Sequence, residues 1–474
     1  MIPLYEAIEI ARPIEACFRY VADFRNTLEW DPTVLAAGKN TPGPVTPGTQ
    51  FALVCKAGPS KLSLTYEVIE YTPWQCLVLV GTCRWFSVRD TITFEPRENG
   101  ATRIHYRAEF QYRFGLEAIA RRQVAALQEM GGTSIARLAV ALEDENPAPI
   151  THKDTECKDR RLTSALACFT RFGYLRGRQR WLPMSTDMTG KHVVLTGASS
   201  GLGFATAVAL LEANANLTLV IRDATKVDSM QTSLEHQTGR RAGHVKLADL
   251  SLLSEVEALS ASLLARGEPI DVLINNAGAL FNHFGVTSEG LEQSIALLLL
   301  SPWRLTERLH PLLKDHSATA RVINVVSGGM YTQKLSCSTL TMSCDQYKGS
   351  VAYARAKRAL AVLTEQWAER WQPDNIAINS MHPGWADTPG VQDALPLFRR
   401  ITRRVLRNAE EGADTIVWLA RAREADQVSG KLFLDREPRP THLRKTTIET
   451  PEERRQLTVW LEKTFAELSL TRET

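Results

Sequence analysis

The feature that most restricts how this chain folds is the string Thr196-Gly197-Ala198-Ser199-Ser200-Gly201-Leu202-Gly203. Before it, His192-Val193-Val194-Leu195 reads as a short buried strand; after it comes an alanine- and leucine-rich stretch with helical character. Glycines at a strand-to-helix junction have distinct uses. Gly197 permits a tight turn, Gly201 lets the backbone approach a pyrophosphate, and Gly203 allows close helix–strand packing, while the helix N-terminus favours phosphate charge. Further strand-like runs follow at Leu217–Ile221, Asp271–Ile274 and Arg321–Val326, with helical stretches between them. That order predicts a parallel sheet covered by helices on both faces.

Later motifs share one frame with the glycine loop. Asn275-Asn276-Ala277-Gly278 follows a strand, Ser327 ends Asn324-Val325-Val326-Ser327, Tyr353 and Lys357 bracket Tyr353-Ala354-Arg355-Ala356-Lys357, and His382-Pro383-Gly384 comes later. In this order they resemble the short-chain dehydrogenase/reductase family, over about residues 188–440. The longer string His382-Pro383-Gly384-Trp385-Ala386-Asp387-Thr388-Pro389-Gly390 is similar to the branch typified by SDR-family member 12. The resemblance implies a Rossmann-type doubly wound α/β domain that binds NAD(P)(H) and has Ser327, Tyr353 and Lys357 as catalytic residues. It places the cofactor against Thr196, Gly197, Ser199, Ser200, Gly201, Leu202, Gly203, Asn276, Ala277, Gly278, Pro383 and Gly384, with Tyr353 and Lys357 also touching it. Asp249, in Leu247-Ala248-Asp249-Leu250, matches the family's adenine-contacting aspartate, with Leu250 beside it; Asp249 alternatively caps the next helix.

The residues support this chemistry directly. Tyr353 and Lys357 are four apart and share one helix face. A nearby ammonium favours the phenolate, lowering a pKa of about 10, so that Tyr353 exchanges a proton with a carbonyl oxygen. Ser327 binds the same oxygen, and Lys357 holds the nicotinamide ribose. After the second strand, Ile221-Arg222-Asp223 offers both an arginine for the 2′-phosphate of NADP and a carboxylate for the 2′-hydroxyl of NAD. Arg222 favours NADP, with NAD as the alternative.

One position departs from the pattern. Many family members carry an asparagine that holds a relay water on the helix after the Asn-Asn-Ala-Gly motif. Here that position is Leu298, and no asparagine lies between Asn282 and Asn324. Leucine has no polar group with which to bind water.

The first part of the chain has a different texture. Leu62–Ile69, Asp90–Phe94 and Thr102–Phe110 are β-rich or alternating, with a turn at Glu98-Asn99-Gly100, and Leu116–Leu142 is helical in character with an interruption at Gly131-Gly132. With Pro13–Val21 and Trp30-Asp31-Pro32, this resembles the helix-grip fold of polyketide-cyclase and START-like proteins, which implies an α+β domain enclosing an apolar cavity. Residues 1–145 are assigned to it, 146–187 to a connector and 188–474 to the reductase domain. Asp144–Pro149 breaks structure at the boundary. In the connector Leu162, Ala165, Leu166, Phe169 and Phe172 recur at helical spacing among Arg171, Arg176, Arg178 and Arg180. Such a basic amphipathic segment suits peripheral contact with an anionic membrane, but packing of its apolar stripe on a domain is favoured, and Gly173 and Gly177 weaken the helix. At the other end, Thr450-Pro451-Glu452-Glu453 predicts a capped final helix through about Ala466.

With 474 residues the chain accommodates two cores, and a net charge of +3 gives no reason to expect nucleic acid. Its eight cysteines form no CxxC pair and no metal cluster is expected. The opening residues lack a signal-peptide pattern, which sets the expectation of a cytoplasmic protein. Together these readings predict an oxidoreductase for a carbonyl or secondary alcohol on an apolar substrate, with a hydrophobic ligand in the first domain; a homo-oligomer is compatible with them. Two rivals stand beside it. One is a sensor or carrier that binds ligands without turnover; the other is a first domain acting as a cyclase or hydratase, for which no acid–base pair in residues 1–142 can be assigned from sequence.

Overall fold

A computed structural model describes residues 2–41, 45–57, 60–97, 100–113, 124–143, 167–178, 187–314, 319–388 and 396–472, with 181, 390 and 392. Its contacts divide the chain into two units. One comprises Met1–Pro147, Gln179–Asp187 and Glu235–Arg240; the other comprises Ala148–Arg178, Met188–Leu234 and Arg241–Thr474. Several positions that bear on the expectations above, Glu98-Asn99, Leu116–Gln123, Asp144–Pro149, Leu162, Ala165, Leu166 and Arg180, lie outside the described residues.

In the first unit the strands are β1 (Ile2–Ile10), β2 (Val34–Lys39), β3 (Gln50–Ala57), β4 (Ser60–Thr72), β5 (Cys76–Thr82), β6 (Phe86–Pro96) and β7 (Thr102–Tyr112). They form one antiparallel sheet in the order β1-β7-β6-β5-β4-β3-β2. The helices are α1 (Ile14–Ala22), α2 (Thr27–Trp30) and α3 (Val124–Glu143). Ile135, Leu138 and Leu142 of α3 join Leu53, Val68, Leu79, Ile92 and Ile104 of the sheet in one core. Helix α3 runs unbroken through Gly131-Gly132, against the interruption expected there. Glycine costs an exposed helix about 1 kcal/mol, which the packing of this apolar stripe outweighs.

Asp90 lies on the inward face of β6 with Val88, Ile92 and Phe94, and only 2% of it is exposed. Burial pushes its carboxyl up to about 7, although the nearby hydroxyls of Tyr66 and Tyr106 favour its charged form. The folded state therefore keeps this proton up to about pH 7, whereas the unfolded chain releases it near 3.8. The stabilisation is complete below the unfolded value and is lost as pH rises through the folded one. Protection of β6 against hydrogen exchange in the full chain, corrected for intrinsic rates, should decline between about pH 4 and 7, and Asp90→Asn should flatten that decline.

The second unit contains the predicted parallel sheet. Strands β8 (His192–Thr196), β9 (Asn216–Ile221), β10 (His244–Leu247), β11 (Val272–Asn275), β12 (Ala320–Val325), β13 (Ile376–Met381), β14 (Leu432–Leu434) and β15 (Glu437–Arg439) lie in the order β10-β9-β8-β11-β12-β13-β14-β15. All neighbours are parallel except the last pair. The strand order reverses between β8 and β11, where open sheets of this kind place their ligand crevice. Residues of the connector belong to this unit: helix α4 (Arg171–Arg178) buries Tyr174, and Phe169 joins the large core. The final helix (Pro451–Arg472) starts at the expected cap, with Glu453 N donating to Thr450 Oγ1 at 3.2 Å and Thr450 N to the Glu453 carboxylate at 2.8 Å.

Candidate active site

The sequence-predicted residues collect at the carboxyl ends of the parallel strands. Thr196 closes β8, Arg222 follows β9, Asp249 follows β10, Asn276 follows β11, Ser327 follows β12 and His382 follows β13. At the centre, the ends of β8 and β11 are laced together. Thr196 Oγ1 accepts from Asn276 N and Ala277 N, both at 3.0 Å, and Asn276 Nδ2 donates to Thr196 O at 2.9 Å and Gly197 O at 3.1 Å. Thr196 and Asn276 therefore act by holding the loop.

Two glycines of that loop are sterically required. Gly197 has φ +71°, and a Cβ on it would lie 2.8 Å from Ala277 Cα; one on Gly203 would lie 2.1 Å from Gly197 O and 2.6 Å from Asn276 Nδ2. Helix α5 (Gly201–Glu212) begins behind Ser200 with no side-chain cap. Its first amides have no intrahelical partners, the arrangement that receives a phosphate. Leu202 packs towards Gly412, and Ser199 and Ser200 keep accessible surface in the turn.

Arg222 is exposed, whereas Asp223 is committed locally. The Asp223 carboxylate accepts from Thr225 N at 3.0 Å and Thr225 Oγ1 at 2.6 Å, and these bonds hold it below the usual carboxylate range. Asp249 accepts from Ser251 N at 2.9 Å and Ser251 Oγ at 2.7 Å, which makes it a turn-forming residue as well. Leu250 is buried in the core.

Tyr353 and Lys357 lie on helix α9 (Gly349–Arg370), and the Ser327 hydroxyl is near enough to the Tyr353 phenol to favour its ionised form. The Lys357 ammonium sits 5.9 Å from the Tyr353 ring centroid, donates to Val325 O at 2.7 Å and is 2% exposed. The expected lowering of the tyrosine does not occur: burial pushes the Tyr353 phenol up to about 12, and the nearby Ser327 hydroxyl opposes this only in part. Burial likewise brings Lys357 down to about 8. In this low-dielectric pocket desolvation of the phenolate outweighs what a nearby amine returns.

Leu298 is fully buried in a π-helical turn (Ala296–Leu300) that leads into helix α8 (Ser301–Lys314). A Cβ on Gly278 would meet Leu298 Cδ2 at 3.1 Å and Lys357 Nζ at 3.6 Å. The leucine thus lines the same corner of the site as the lysine.

Pro383 and Gly384 form the loop after β13, and a Cβ on Gly384, whose φ is +71°, would lie 2.6 Å from Phe169 O. Here the structure adds residues that sequence alone assigns to the connector. The Phe169 ring meets His382 edge-on at 4.8 Å and stacks on Tyr331 at 6.2 Å, and a Cβ on Gly328, next to Ser327, would lie 3.1 Å from it. Arg407 fixes the segment: it donates to Cys168 O at 2.6 Å and to Thr170 O at 3.3 Å, and it pairs with Asp435, Nη2 to Oδ2 being 2.9 Å. His382 is held neutral, pushed down to about 3 by burial and the nearby arginines.

Comparison with known proteins agrees with this geometry. Residues 191–396 match the short chain dehydrogenase family, and residues 1–143 match the family described as polyketide cyclase / dehydrase and lipid transport. Dehydrogenase/reductase SDR family member 12 of Bos taurus is 36% identical over 300 residues, which cover 62% of this chain and 93% of that protein. Retinol dehydrogenase 14 of Mus musculus is 33% identical over 265 residues, 52% of this chain and 78% of that one. Among solved structures, a complex of Pseudomonas aeruginosa RhlG with NADP in its active site is 24% identical, with a TM-score of 0.43 and coverage of 52% and 95%. The chain is a member of the short-chain dehydrogenase/reductase family, with a polyketide cyclase/dehydrase and lipid transport domain ahead of the reductase.

Proposed function

We propose that the second unit is an NADP(H)-dependent oxidoreductase acting on a carbonyl or secondary alcohol of an apolar compound, and that the first unit binds a hydrophobic ligand. The observation that carries the enzymatic reading is the placement of the Tyr353 phenol near Ser327 and over a buried Lys357. A nicotinamide cofactor fits the uncapped start of α5 and the glycine-lined floor beneath it; when bound it supplies the hydride. Ser327 and Tyr353 would hold the substrate oxygen between them, and Tyr353 would deliver its proton there. Lys357, at about 8, is mostly charged at neutral pH and donates to whatever oxygen faces it. Oxidation of NADPH by the intact chain against a panel of apolar ketones and aldehydes tests this reading. Turnover on none of them would reject it.

NADP is favoured over NAD because the Asp223 carboxylate is already engaged by Thr225, which leaves the exposed Arg222 as the charge at the end of β9. Arg222→Ala should weaken NADPH about tenfold or more, the scale of one charge-assisted phosphate contact, and change NADH little. Calorimetry giving equal losses for both cofactors would reassign the preference.

For the first unit, support comes from the polar node of Asp90, Tyr66 and Tyr106, with the Asp31 carboxyl acting on all three, beside the apolar cluster of Leu64, Val88 and Ala108. One polar anchor in an apolar setting suits a hydrophobic molecule bearing a hydroxyl or carbonyl. Mass analysis of material co-purified with the intact chain identifies it. A second reading, in which the chain binds both ligands without turnover, rests on Leu298 beside Lys357.

A further inference from the structure

The connector and the segment after the Pro383-Gly384 loop meet on one surface of the second unit. Arg171 N donates to Val405 O at 2.8 Å, and Arg407 grips the backbone oxygens of Cys168 and Thr170. This junction carries the two most exposed large apolar side chains among the described residues, Ile401 at 75% and Phe172 at 68%. Around them Arg176, Arg400, Arg403 and Arg404 are exposed, and none pairs with a carboxylate among the described residues. Two nearby acids are already occupied, Glu411 by Arg171 at 2.7 Å and Asp387 by Arg399 at 2.8 Å.

Grouped exposed apolar side chains on a soluble surface mark an interaction site, and here they stand among cations that no carboxylate among the described residues neutralises. The combination suits one environment, an acyl layer beneath anionic headgroups. A second copy of the same face would bring arginine against arginine, and a nucleic-acid backbone offers nothing to an isoleucine. We propose that this surface docks the reductase unit on an anionic lipid bilayer, with Phe172 and Ile401 entering the acyl boundary and the four arginines meeting the headgroups. The docked surface lies beside the candidate active site: Phe169 abuts Gly328, and Trp385 N donates to Phe169 O at 2.7 Å. An apolar substrate leaving the bilayer there would emerge next to Ser327. That use rests on the proposed activity; the docking does not.

The test is co-sedimentation of the full chain with vesicles of phosphatidylcholine alone, or with about one-third phosphatidylserine. We expect about tenfold or stronger binding to the anionic vesicles, lost at about 0.5 M salt, where the Debye length falls to a few ångströms. Arg403→Glu with Arg404→Glu should abolish the preference. Phe172→Ser with Ile401→Ser should weaken binding about tenfold even at low salt, in proportion to the apolar area removed. Unchanged thermal unfolding shows that these exposed positions leave the fold intact. Arg455→Glu with Lys463→Glu, on the final helix, changes the net charge equally and should bind like the parent. Equal binding to both vesicle types, no binding at all, variants that bind like the parent, or an equal loss in the final-helix control would each overturn the proposal. Light scattering that shows a dimer abolished by Phe172→Ser with Ile401→Ser, without vesicle binding, would assign the face to a second copy instead.

Discussion

Tyr353→Phe should lower the rate of carbonyl reduction by about 10²–10⁴-fold, the range for a lost acid–base group, while NADPH binds as before. Only the hydroxyl near Ser327 is removed, and the ring keeps its contacts with the core. The direction of pH dependence follows from the burial of the same group. With the phenol near 12, the proton needed for reduction is present throughout the neutral range. Reduction should therefore be flat in Tyr353 across that range, whereas alcohol oxidation, which needs the phenolate, should rise with pH. Stopped-flow traces of NADPH consumption and formation read both arms. A Tyr353→Phe protein as fast as the parent would remove this residue from the chemistry. A parent with no turnover, whose Tyr353→Phe form binds NADPH normally, would leave the ligand-binding reading as the better account.

Arg407→Ala should cost the second unit about 3–5 kcal/mol, the penalty for stranding one partner of a buried ion pair. The side chains of Arg407 and Asp435 are 1% and 3% exposed, so water does not replace what is lost. Burial already raises the Asp435 carboxyl even with the arginine present. The same substitution removes both bonds to the Cys168–Thr170 backbone. Calorimetry on the full chain should show the transition of this unit falling by about 10 °C. Arg407→Lys should recover only part of this, because an ammonium lacks the planar fork that serves Asp435 and two carbonyls at once. A transition unmoved by Arg407→Ala would mean that the pair adds nothing to the fold.

Much of the reductase core is legible in the chain because its signals are local. A glycine loop must sit where a strand turns into a helix, and a tyrosine four residues before a lysine shares its face. Leu298 is legible as a departure for the same reason. Three other things are hidden. Asp223 and Asp249 lie where nucleotide contacts are expected, but each carboxylate is drawn into a turn by a hydroxyl residue two positions on. The ionisation of Tyr353 depends on how deeply α9 is buried, which no spacing reveals. The contacts of Phe169 and Arg407 join segments far apart in sequence, so the helical spacing of Phe169 and Phe172 is readable while the surface that receives Phe169 is not. Asp90 is an intermediate case. Its place between Val88 and Ile92 in a period-two run marks it as facing inward, a signal carried by residue alternation alone.

The family match begins at residue 191, yet the reductase unit reaches back to at least Cys168 through Phe169 and the carbonyls that Arg407 holds. The recognisable module and the physical one therefore start at different places. A gene rearrangement that joined some other leading domain at residue 191 would deliver a reductase with Tyr331 and His382 uncovered and Arg407 missing two of its acceptors. Lineages that exchange the leading domain should have their breakpoints upstream of Cys168, so the tether is inherited with the reductase whatever stands in front of it.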